Sequence, residues 1–260
     1  MLITIIGSGN VATHMAAALK NAGHSIVQVY SRDMQPAALL AYHVKAEPID
    51  MLDAVSPETD LFLIAIKDDA IGGIAQKLAR HGKLIVHTSG ATSLEELKQH
   101  TLNAGVFYPL QTFSKTKELD FRTVPLCIEG ATEEITKHLE ELARTVSNNV
   151  YRVDSEQRRT LHLAAVFACN FPNYLYYAAG GLLHEHNLDF NLLRPLILET
   201  AAKVQEHLPG DVQTGPALRN DEQTMAAHLQ LLSQNPELQE VYELISQLII
   251  KMDKGGNAGV

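Results

Sequence analysis

The sequence predicts an α/β fold in which a doubly wound parallel sheet, over residues 1–153, is followed by an all-helical domain, over residues 154–260. Two observations support this fold class. Before residue 153, short apolar runs alternate with helical patterns, which is typical of parallel strands covered by helices on both faces. After it, the chain contains helical patterns and no convincing strand. This change of period predicts two domains with a cleft between them.

The predicted elements follow in chain order. The strands cover residues 2–6, 25–30, 45–47, 60–66, 83–87, 104–108, 124–128 and 149–153, the last at an edge of the sheet. The helices cover residues 13–21, 36–42, 68–78, 133–146, 191–207, 221–233 and 236–251. Asp154-Ser155-Glu156-Gln157 has the pattern of a capping box that opens a long helix, and Pro172 should kink that helix by freeing the carbonyl of Ala168. The tail 255–260 is expected to fray.

A stretch without charged residues, 163–183, lies in the helical half and is long enough to span a bilayer. Because it contains Asn170, Pro172 and Asn173, we interpret it as a buried helix of a soluble domain, and we expect no membrane partner. So long an uncharged helix needs cover on most sides. The sequence therefore predicts a homodimer formed through the helical domain.

Composition limits the partners and the compartment. The 260 residues carry a formal net charge of −9 and show no basic face, so nucleic acid is not expected as a partner. Cys127 and Cys169 lie in apolar stretches without metal-binding spacing, which indicates buried thiols in a reducing cytosol. A strand that begins at Leu2 leaves no room for a signal peptide, and we expect a cytoplasmic protein.

The turn after the first strand predicts a nucleotide-binding site. It reads Gly7-Ser8-Gly9-Asn10-Val11-Ala12 and lies between a strand and a helix, which is the dinucleotide-binding pattern. Gly7 allows the tight turn, Gly9 removes a Cβ that would block a diphosphate, and Ala12 lets helix and strand pack closely. Residues 7–11 should bind phosphate through backbone N–H groups at the positive end of the helix. The alternative is a glycine turn with no ligand.

The end of the second strand indicates which dinucleotide binds. An NAD site places an acidic residue there to accept from the ribose hydroxyls, whereas this chain has Ser31 and Arg32. A hydroxyl and a guanidinium suit a 2′-phosphate, so NADP is the predicted cofactor. Asp33 leaves NAD as an alternative cofactor, because its carboxylate can accept hydrogen bonds from the ribose hydroxyls. Arg32 can also be an ordinary surface arginine.

Two further strand ends point to the same crevice, where ligands bind in open α/β sheets. The predicted cofactor contacts there are Ile66, Lys67, Asp68, Thr88 and Ser89. Lys67 suits a phosphate or a ribose, and His87, Thr88 and Ser89 are placed to face the nicotinamide. The alternative is that Asp68 and Ser89 only cap the helices that follow.

Several motifs together resemble a known family. They are, in order, GSGNVA, LIAIKDD, VHTSGA, FYPLQTF, a helix with His162 and Asn170, and TGPALRND, and they resemble the Rossmann-like family with a C-terminal domain of unknown function. Members are often labelled NADP oxidoreductases of the deazaflavin coenzyme-dependent type. The sheet domain is similar to that of pyrroline-5-carboxylate reductase and the 6-phosphogluconate dehydrogenase superfamily. The resemblance covers nearly the whole chain and implies NADP at the strand ends, with a helical domain that commonly dimerises and closes over the nicotinamide.

Two departures from the family pattern affect the catalytic residues. Tyr108 stands where the family more usually has histidine, and Val166 stands where the wider superfamily has its acid/base lysine, four residues before Asn170. His162 is the nearest replacement, since histidine exchanges protons near neutral pH. In a regular helix His162 and Asn170 lie about 80° apart, close enough to border one cleft, and we predict both as catalytic. The alternative for His162 is a hydrogen-bonded core residue.

Tyr108 and Arg219 are predicted to contact the substrate. Arg219 lies in a loop with glycine and proline, where a guanidinium can clamp a carboxylate. Arg219 can equally form an ion pair between helix ends. The remaining histidines lack metal-ligand spacing with a supporting acid, so no metal is expected.

These predictions combine into an NADP-dependent oxidoreductase that transfers a hydride to or from a small substrate in the cleft between the domains. A second hypothesis is a nucleotide-binding module without turnover, which senses the NADP redox state or acts as a scaffold, and the missing lysine favours it. A third hypothesis, methyl transfer from S-adenosylmethionine, fits less well, because Ser31-Arg32 is an unusual place to hold an uncharged ribose.

Overall fold

The computed structural model describes residues 1–254 of the chain, and side chains as far as Met252. The chain forms two compact units, residues 1–171 and the part from Pro172 onward. The strands are Leu2–Ile6 (β1), Ser25–Tyr30 (β2), Glu47–Ile49 (β3), Leu61–Ile64 (β4), Leu84–His87 (β5), Ala104–Pro109 (β6), Leu126–Gly130 (β7) and Val150–Arg152 (β8). No strand follows Arg152 within residues 1–254, as predicted, and the tail expected to fray lies outside the described residues.

The strands form one eight-stranded sheet in the order β3-β2-β1-β4-β5-β6-β7-β8. All pairs from β3 to β6 are parallel, which confirms the α/β fold class. The expectation of a wholly parallel sheet is wrong at β7, which runs antiparallel to β6 with Tyr108 opposite Cys127. The connection between the two strands, residues 110–125, explains this direction. It is described throughout and contains one 3₁₀ turn but no helix. A parallel pair would need a crossover helix there.

The register brings several strand ends to one edge of the sheet. Ile6 lies between Tyr30 and Ile64, and Ile64 pairs in turn with His87. His87 pairs with Val106 of β6. Because parallel strands share one direction, the turns that follow β1, β2, β4 and β5 all leave the sheet at this edge. The predicted cofactor residues lie in these turns.

Helices cover both faces of the sheet in the first unit. Met15 packs in the same core as Ile5 on one face, and Ile71 packs with Phe62 and Ile64 on the other. The helices are Asn10–Asn21 (α1), Met34–Val44 (α2), Ile71–Leu78 (α3), Glu95–Lys98 (α4), Glu133–Val146 (α5), Ser155–Ala165 (α6), Phe171–Glu185 (α7), Arg194–Glu206 (α8), Glu222–Leu231 (α9) and Pro236–Lys254 (α10).

The long helix begins and deforms where the sequence predicts. Asp154 accepts from the backbone N–H of Gln157 at 2.9 Å, and the Gln157 side chain accepts from the N–H of Asp154 at 3.1 Å, which confirms the capping box. Before Pro172, residues Val166–Asn170 form a π turn, in which the Phe171 N–H bonds to the carbonyl of Val166. The proline has no N–H for the regular pattern, so the preceding turn widens.

The uncharged stretch 163–183 departs from its prediction. Its apolar side chains are largely exposed, since Phe167 is 64% and Tyr177 is 77% accessible. The expected burial is therefore wrong for a single chain. An apolar composition predicts that a stretch is buried, but it does not distinguish burial within one chain from burial between two chains. Cys169, in the same stretch, is exposed rather than buried, whereas Cys127 is buried. No helix of the described residues is long and apolar enough to cross a bilayer.

Both outer strands of the sheet are short. β3 has three residues and contains Pro48, which has no N–H to donate. β8 also has three residues, and Arg152 at its end forms ion pairs with Glu133 at 2.9 Å and Glu140 at 2.8 Å, both on α5. These ion pairs are partly exposed, so each contributes little to stability by itself.

Candidate active site

The glycine turn after β1 has the geometry that the motif predicts. Gly7 has a φ of +122°, and its N–H donates to the carbonyl of Tyr30 at 2.8 Å. A Cβ at this position would collide with the backbone carbonyl of Ala65. Glycine is therefore required both by the backbone angle and by the close approach of the next strand.

Gly9 occupies the position where the motif leaves room for a ligand. It is the N-cap of α1, and no side chain caps the first turn. A Cβ built on Gly9 would meet no protein atom within 4 Å. The open space and the uncapped N–H groups at the positive end of a helix fit a diphosphate.

The residues after β2 favour a 2′-phosphate. Asp33 Oδ1 accepts from the backbone N–H of Gln35 at 3.1 Å, so this carboxylate caps α2. The cap occupies one oxygen of the carboxylate that kept the NAD alternative open. Arg32 is exposed and forms no ion pair with any residue in the described chain, and Ser31 lies beside it. Ser31 and Arg32 as 2′-phosphate ligands remain a prediction.

The turns after β4 and β5 differ in exposure. Ile66 is half-buried, and Lys67 and Asp68 are exposed. Asp68 caps neither of the two short helical elements that follow, so the capping alternative is wrong for it. Ser89 Oγ accepts from the N–H groups of Ala91 and Thr92, at 3.1 and 2.9 Å, and therefore shapes its own turn.

Thr88 and His87 belong largely to the core. Thr88 Oγ1 donates to the carbonyl of Ile64 at 3.3 Å, and His87 is fully buried. His87 Nδ1 accepts from the N–H of Ser89 at 3.2 Å. Burial, helped by the charge of Arg158, lowers the pKa of His87 to about 3. His87 is thus a neutral core histidine, and its expected position facing the nicotinamide stays a prediction.

Tyr108 and His162, predicted for separate roles, form one pair. The Tyr108 hydroxyl lies 3.1 Å from His162 Nδ1, although 54 residues separate them in the chain. Gly90, in the turn after β5, lies against both rings, because a Cβ there would be 2.7 Å from His162 Nδ1 and 2.8 Å from Tyr108 Cζ. Burial raises the pKa of Tyr108 to about 12, so the hydroxyl keeps its proton at neutral pH.

A buried arginine that the sequence reasoning missed supports this pair. Arg158 is fully buried, donates to Glu129 Oε2 at 2.5 Å, and donates to the carbonyl of Thr92 at 2.6 Å. Ser155 Oγ also donates to Glu129 at 2.8 Å and accepts from the N–H of Leu94 at 2.9 Å. These bonds hold the turn that contains Gly90 against α6. The available signal was its position four residues before His162, on the same side of the helix.

For Asn170 and Arg219, the roles in catalysis and in substrate binding stay predictions. Asn170 is exposed in the π turn, and the predicted angle of about 80° from His162 does not apply, because it assumed a regular helix. Arg219 is exposed in the loop before α9 and forms no ion pair within residues 1–254. The hydrogen bonds of Thr224, with a smaller contribution from the Arg219 charge, lower the pKa of Asp221. The described residues contain no cluster of three potential metal ligands.

Comparisons with known proteins identify relatives of both parts of the chain. Residues 2–91 match the family model described as NADP oxidoreductase, coenzyme F420-dependent, and residues 124–249 match a domain of unknown function, DUF2520. No curated protein matches the chain. The protein BF3122 from Bacteroides fragilis, which carries the provisional name NADP oxidoreductase, is 45% identical over 96% of this chain and 98% of its own, with a TM-score of 0.91.

More distant structures share the fold. The protein TM1727 from Thermotoga maritima is 20% identical over 97% of this chain and 99% of its own, with a TM-score of 0.81. An imine reductase from Myxococcus stipitatus, in complex with NADP⁺, is 15% identical over 98% and 95%, with a TM-score of 0.73. Given the 45% identity over nearly the whole of both chains and the two matched domains, this chain belongs to the family of NADP oxidoreductases in which the N-terminal domain precedes the domain of unknown function.

Proposed function

We propose that this NADP-dependent oxidoreductase exchanges a hydride with a small substrate that binds beside the His162–Tyr108 pair. The observation that carries the proposal is the hydrogen bond of 3.1 Å between Tyr108 and His162 Nδ1, with Gly90 packed against both rings. The strand that leads to Gly90 ends in register with the strands that lead to the glycine turn. The turn with Gly90, which packs against the proton-exchanging pair, and the dinucleotide-binding turn thus lie at the same edge of one sheet.

The residues of the chain fit the cofactor. The N–H groups after Gly9 suit the diphosphate, and Ser31 and Arg32 suit the 2′-phosphate. Lys67, exposed in the turn after β4, adds a cation at the same edge. When bound, NADPH supplies the hydride, which is chemistry that no side chain of the protein can provide.

His162 is proposed to supply the proton that accompanies hydride transfer. The protonated Tyr108 hydroxyl donates to Nδ1 of the neutral imidazole, which leaves the hydrogen on Nε2. When the imidazole is protonated, Nδ1–H donates to the tyrosine oxygen instead. Tyr108 therefore orients His162 in both charge states, and Nε2 can give a proton to a substrate nitrogen or oxygen.

The substrate class is proposed to be a small imine or carbonyl compound. Both groups become more basic at nitrogen or oxygen as the carbon accepts a hydride, and an imidazolium can protonate either. The shared fold of the Myxococcus imine reductase makes imines the first compounds to test. Arg219 is proposed to bind a substrate carboxylate, which makes imino and keto acids the second group.

The experiment is a titration followed by a turnover screen. NADP⁺ and NAD⁺ are titrated calorimetrically onto the full chain, and tighter binding of NADP⁺ is expected. Loss of the reduced nicotinamide absorbance is then followed with cyclic imines, keto acids, imino acids and a deazaflavin. Tight NADP⁺ binding without turnover of any compound would favour the sensor hypothesis, and absence of NADP⁺ binding would overturn the proposal.

We further propose that the protein is a homodimer through its helical part. Many large apolar side chains there are exposed on the single chain, and a monomer rarely leaves so much apolar surface in water. They include Tyr174, Leu175, Tyr177, Leu182, Leu244, Ile245 and Leu248. Light scattering after size exclusion should give twice the mass of one chain, and Tyr177→Glu should lower the dimer fraction. A monomeric wild-type protein would contradict this proposal.

A further inference from the structure

A loop outside the dinucleotide motif lies over the glycine turn. Between β6 and β7, the backbone carbonyl of Phe113 accepts from Asn10 Nδ2 at 2.9 Å, and the carbonyl of Ser114 lies 2.9 Å from His14 Nε2. Both partners belong to the first turns of α1. The rings of His14 and Phe113 also lie 5.2 Å apart, so α1 holds the loop by several contacts.

The next residue of this loop places a cation in the turn. Lys115 Nζ donates to the carbonyl of Ser8 at 2.8 Å, and Ser8 is the residue before the N-cap Gly9. The ammonium has two further N–H donors, and the four-carbon stem of an exposed lysine lets it move to a nearby anion. A neutral carbonyl is a weaker partner for an ammonium than a phosphate oxygen.

The negative net charge of the chain makes a cation beside the glycine turn favourable for binding an anion. The chain carries a formal net charge of −9, so an anionic dinucleotide approaches against the overall field. The first turn of α1 contains no acidic residue that would neutralise a lysine there. Gly9 leaves space beside the turn, since an added Cβ meets no protein atom within 4 Å. Lys115 thus places a positive charge at the turn of a chain whose net charge is negative.

We infer that Lys115 binds the diphosphate of the dinucleotide, as a charged ligand additional to the glycine motif. The inference rests on the proposed binding of NADP at this turn and deepens it. Asn10 and His14 fix the loop that carries Lys115, and the ammonium exchanges the Ser8 carbonyl for a phosphate oxygen. Lys115 would thereby recognise the feature that NAD and NADP share, whereas Arg32 would recognise the 2′-phosphate.

The test compares Lys115→Met with Lys117→Met by calorimetry on the full chain. Lys117 is a matched control, because it lies in the same loop, is exposed, and its side chain makes no hydrogen bond or ion pair with residues 1–254. Lys115→Met is expected to weaken NADP⁺ and ADP-ribose binding about tenfold, the size of one partly exposed charge-assisted hydrogen bond. Lys117→Met should leave both affinities unchanged, and Lys115→Arg should restore most of the loss.

Two further results distinguish a charge effect from a disturbed loop. The affinity for adenosine 2′-monophosphate, which has no diphosphate, should not change in Lys115→Met. The dependence of NADP⁺ affinity on salt concentration should become shallower in the same variant. Wild-type affinity in Lys115→Met, or an equal loss in Lys117→Met, would overturn the inference while the proposed function stands. If the wild-type chain bound no dinucleotide, the inference and the proposed function would both fail.

Discussion

At Gly9 an added methyl group would meet no protein atom within 4 Å, whereas at Gly90 it would lie 2.7 Å from His162 Nδ1. Both glycines follow strands that end in register at one edge of the sheet. The first keeps space in which a ligand can lie, and the second lets two protein side chains come together. Glycines in neighbouring motifs therefore serve opposite purposes, and only the surrounding atoms show which purpose each one serves.

Replacing His162, which packs against Gly90, is expected to have the largest effect on the activity of the site. His162→Gln keeps a polar side chain but cannot exchange a proton, so turnover of any substrate found is expected to fall by about 10²–10⁴-fold. NADP⁺ affinity, measured by calorimetry, should stay near the wild-type value. His138→Gln, on the exposed side of α5, is the control and should keep full turnover. Wild-type turnover in His162→Gln would remove His162 from the mechanism.

The close approach at Gly90 predicts a cost in stability. In Gly90→Ala the methyl group would push His162 and Tyr108 apart, and the free energy of unfolding is expected to fall by about 1–3 kcal/mol. Urea unfolding followed by circular dichroism measures this change. Gly73→Ala is the control, since a Cβ there meets nothing within 4 Å and helix α3 should tolerate it. Equal stability of Gly90→Ala and wild type would show that the contact is not needed.

The stability of the fold should also depend on pH, because His87, three residues before Gly90, is buried. Its pKa is lowered from 6.5 to about 3 in the folded chain, so below pH 6.5 the unfolded chain binds more protons and stability falls as the pH drops. Between pH 6.5 and 5 the loss is expected to be roughly 1–2 kcal/mol. His87→Gln should remove most of this slope in urea unfolding at stepped pH. An unchanged slope would mean that His87 is protonated in the folded protein.

A substitution at Gly9, where the space is open, is expected to have the smallest effect. It should change the affinity for the cofactor and not the stability of the fold. Gly9→Ala has an unstrained backbone, with φ at −76°, so the free energy of unfolding without ligand should not change measurably. The methyl group would occupy the space beside the N–H groups, and NADP⁺ affinity is expected to fall by about tenfold. Calorimetry of Gly9→Ala against Gly73→Ala measures this. A loss of stability instead of affinity would reverse the comparison.

Features that depend on neighbouring residues could be predicted from the sequence. The glycine turn, the bounds of β1 and β2, helix α5 and the capping box at Asp154 all match the structure. Each is determined within a few residues, by apolar periodicity, by a backbone angle that only glycine adopts readily, or by a side chain that bonds to its own helix end.

Contacts between distant segments could not be predicted in this way. The Tyr108–His162 bond joins residues 54 positions apart, and Lys115 reaches Ser8 across 107 positions. Arg158 is an arginine that the fold buries completely, although an arginine is normally exposed. These contacts depend on how strands and loops are placed together, and local patterns contain no information on that placement.

The two short outer strands have a consequence for association between molecules. A sheet grows by adding a foreign strand only where a long border offers free donors and acceptors. Pro48 removes a donor on one border, and the other border has three residues that end at a charged side chain tied to α5. Both borders of the sheet are thus poor templates for fibril-like extension, and the proposed dimer would instead form by packing between helices, which buries side chains without recruiting backbone.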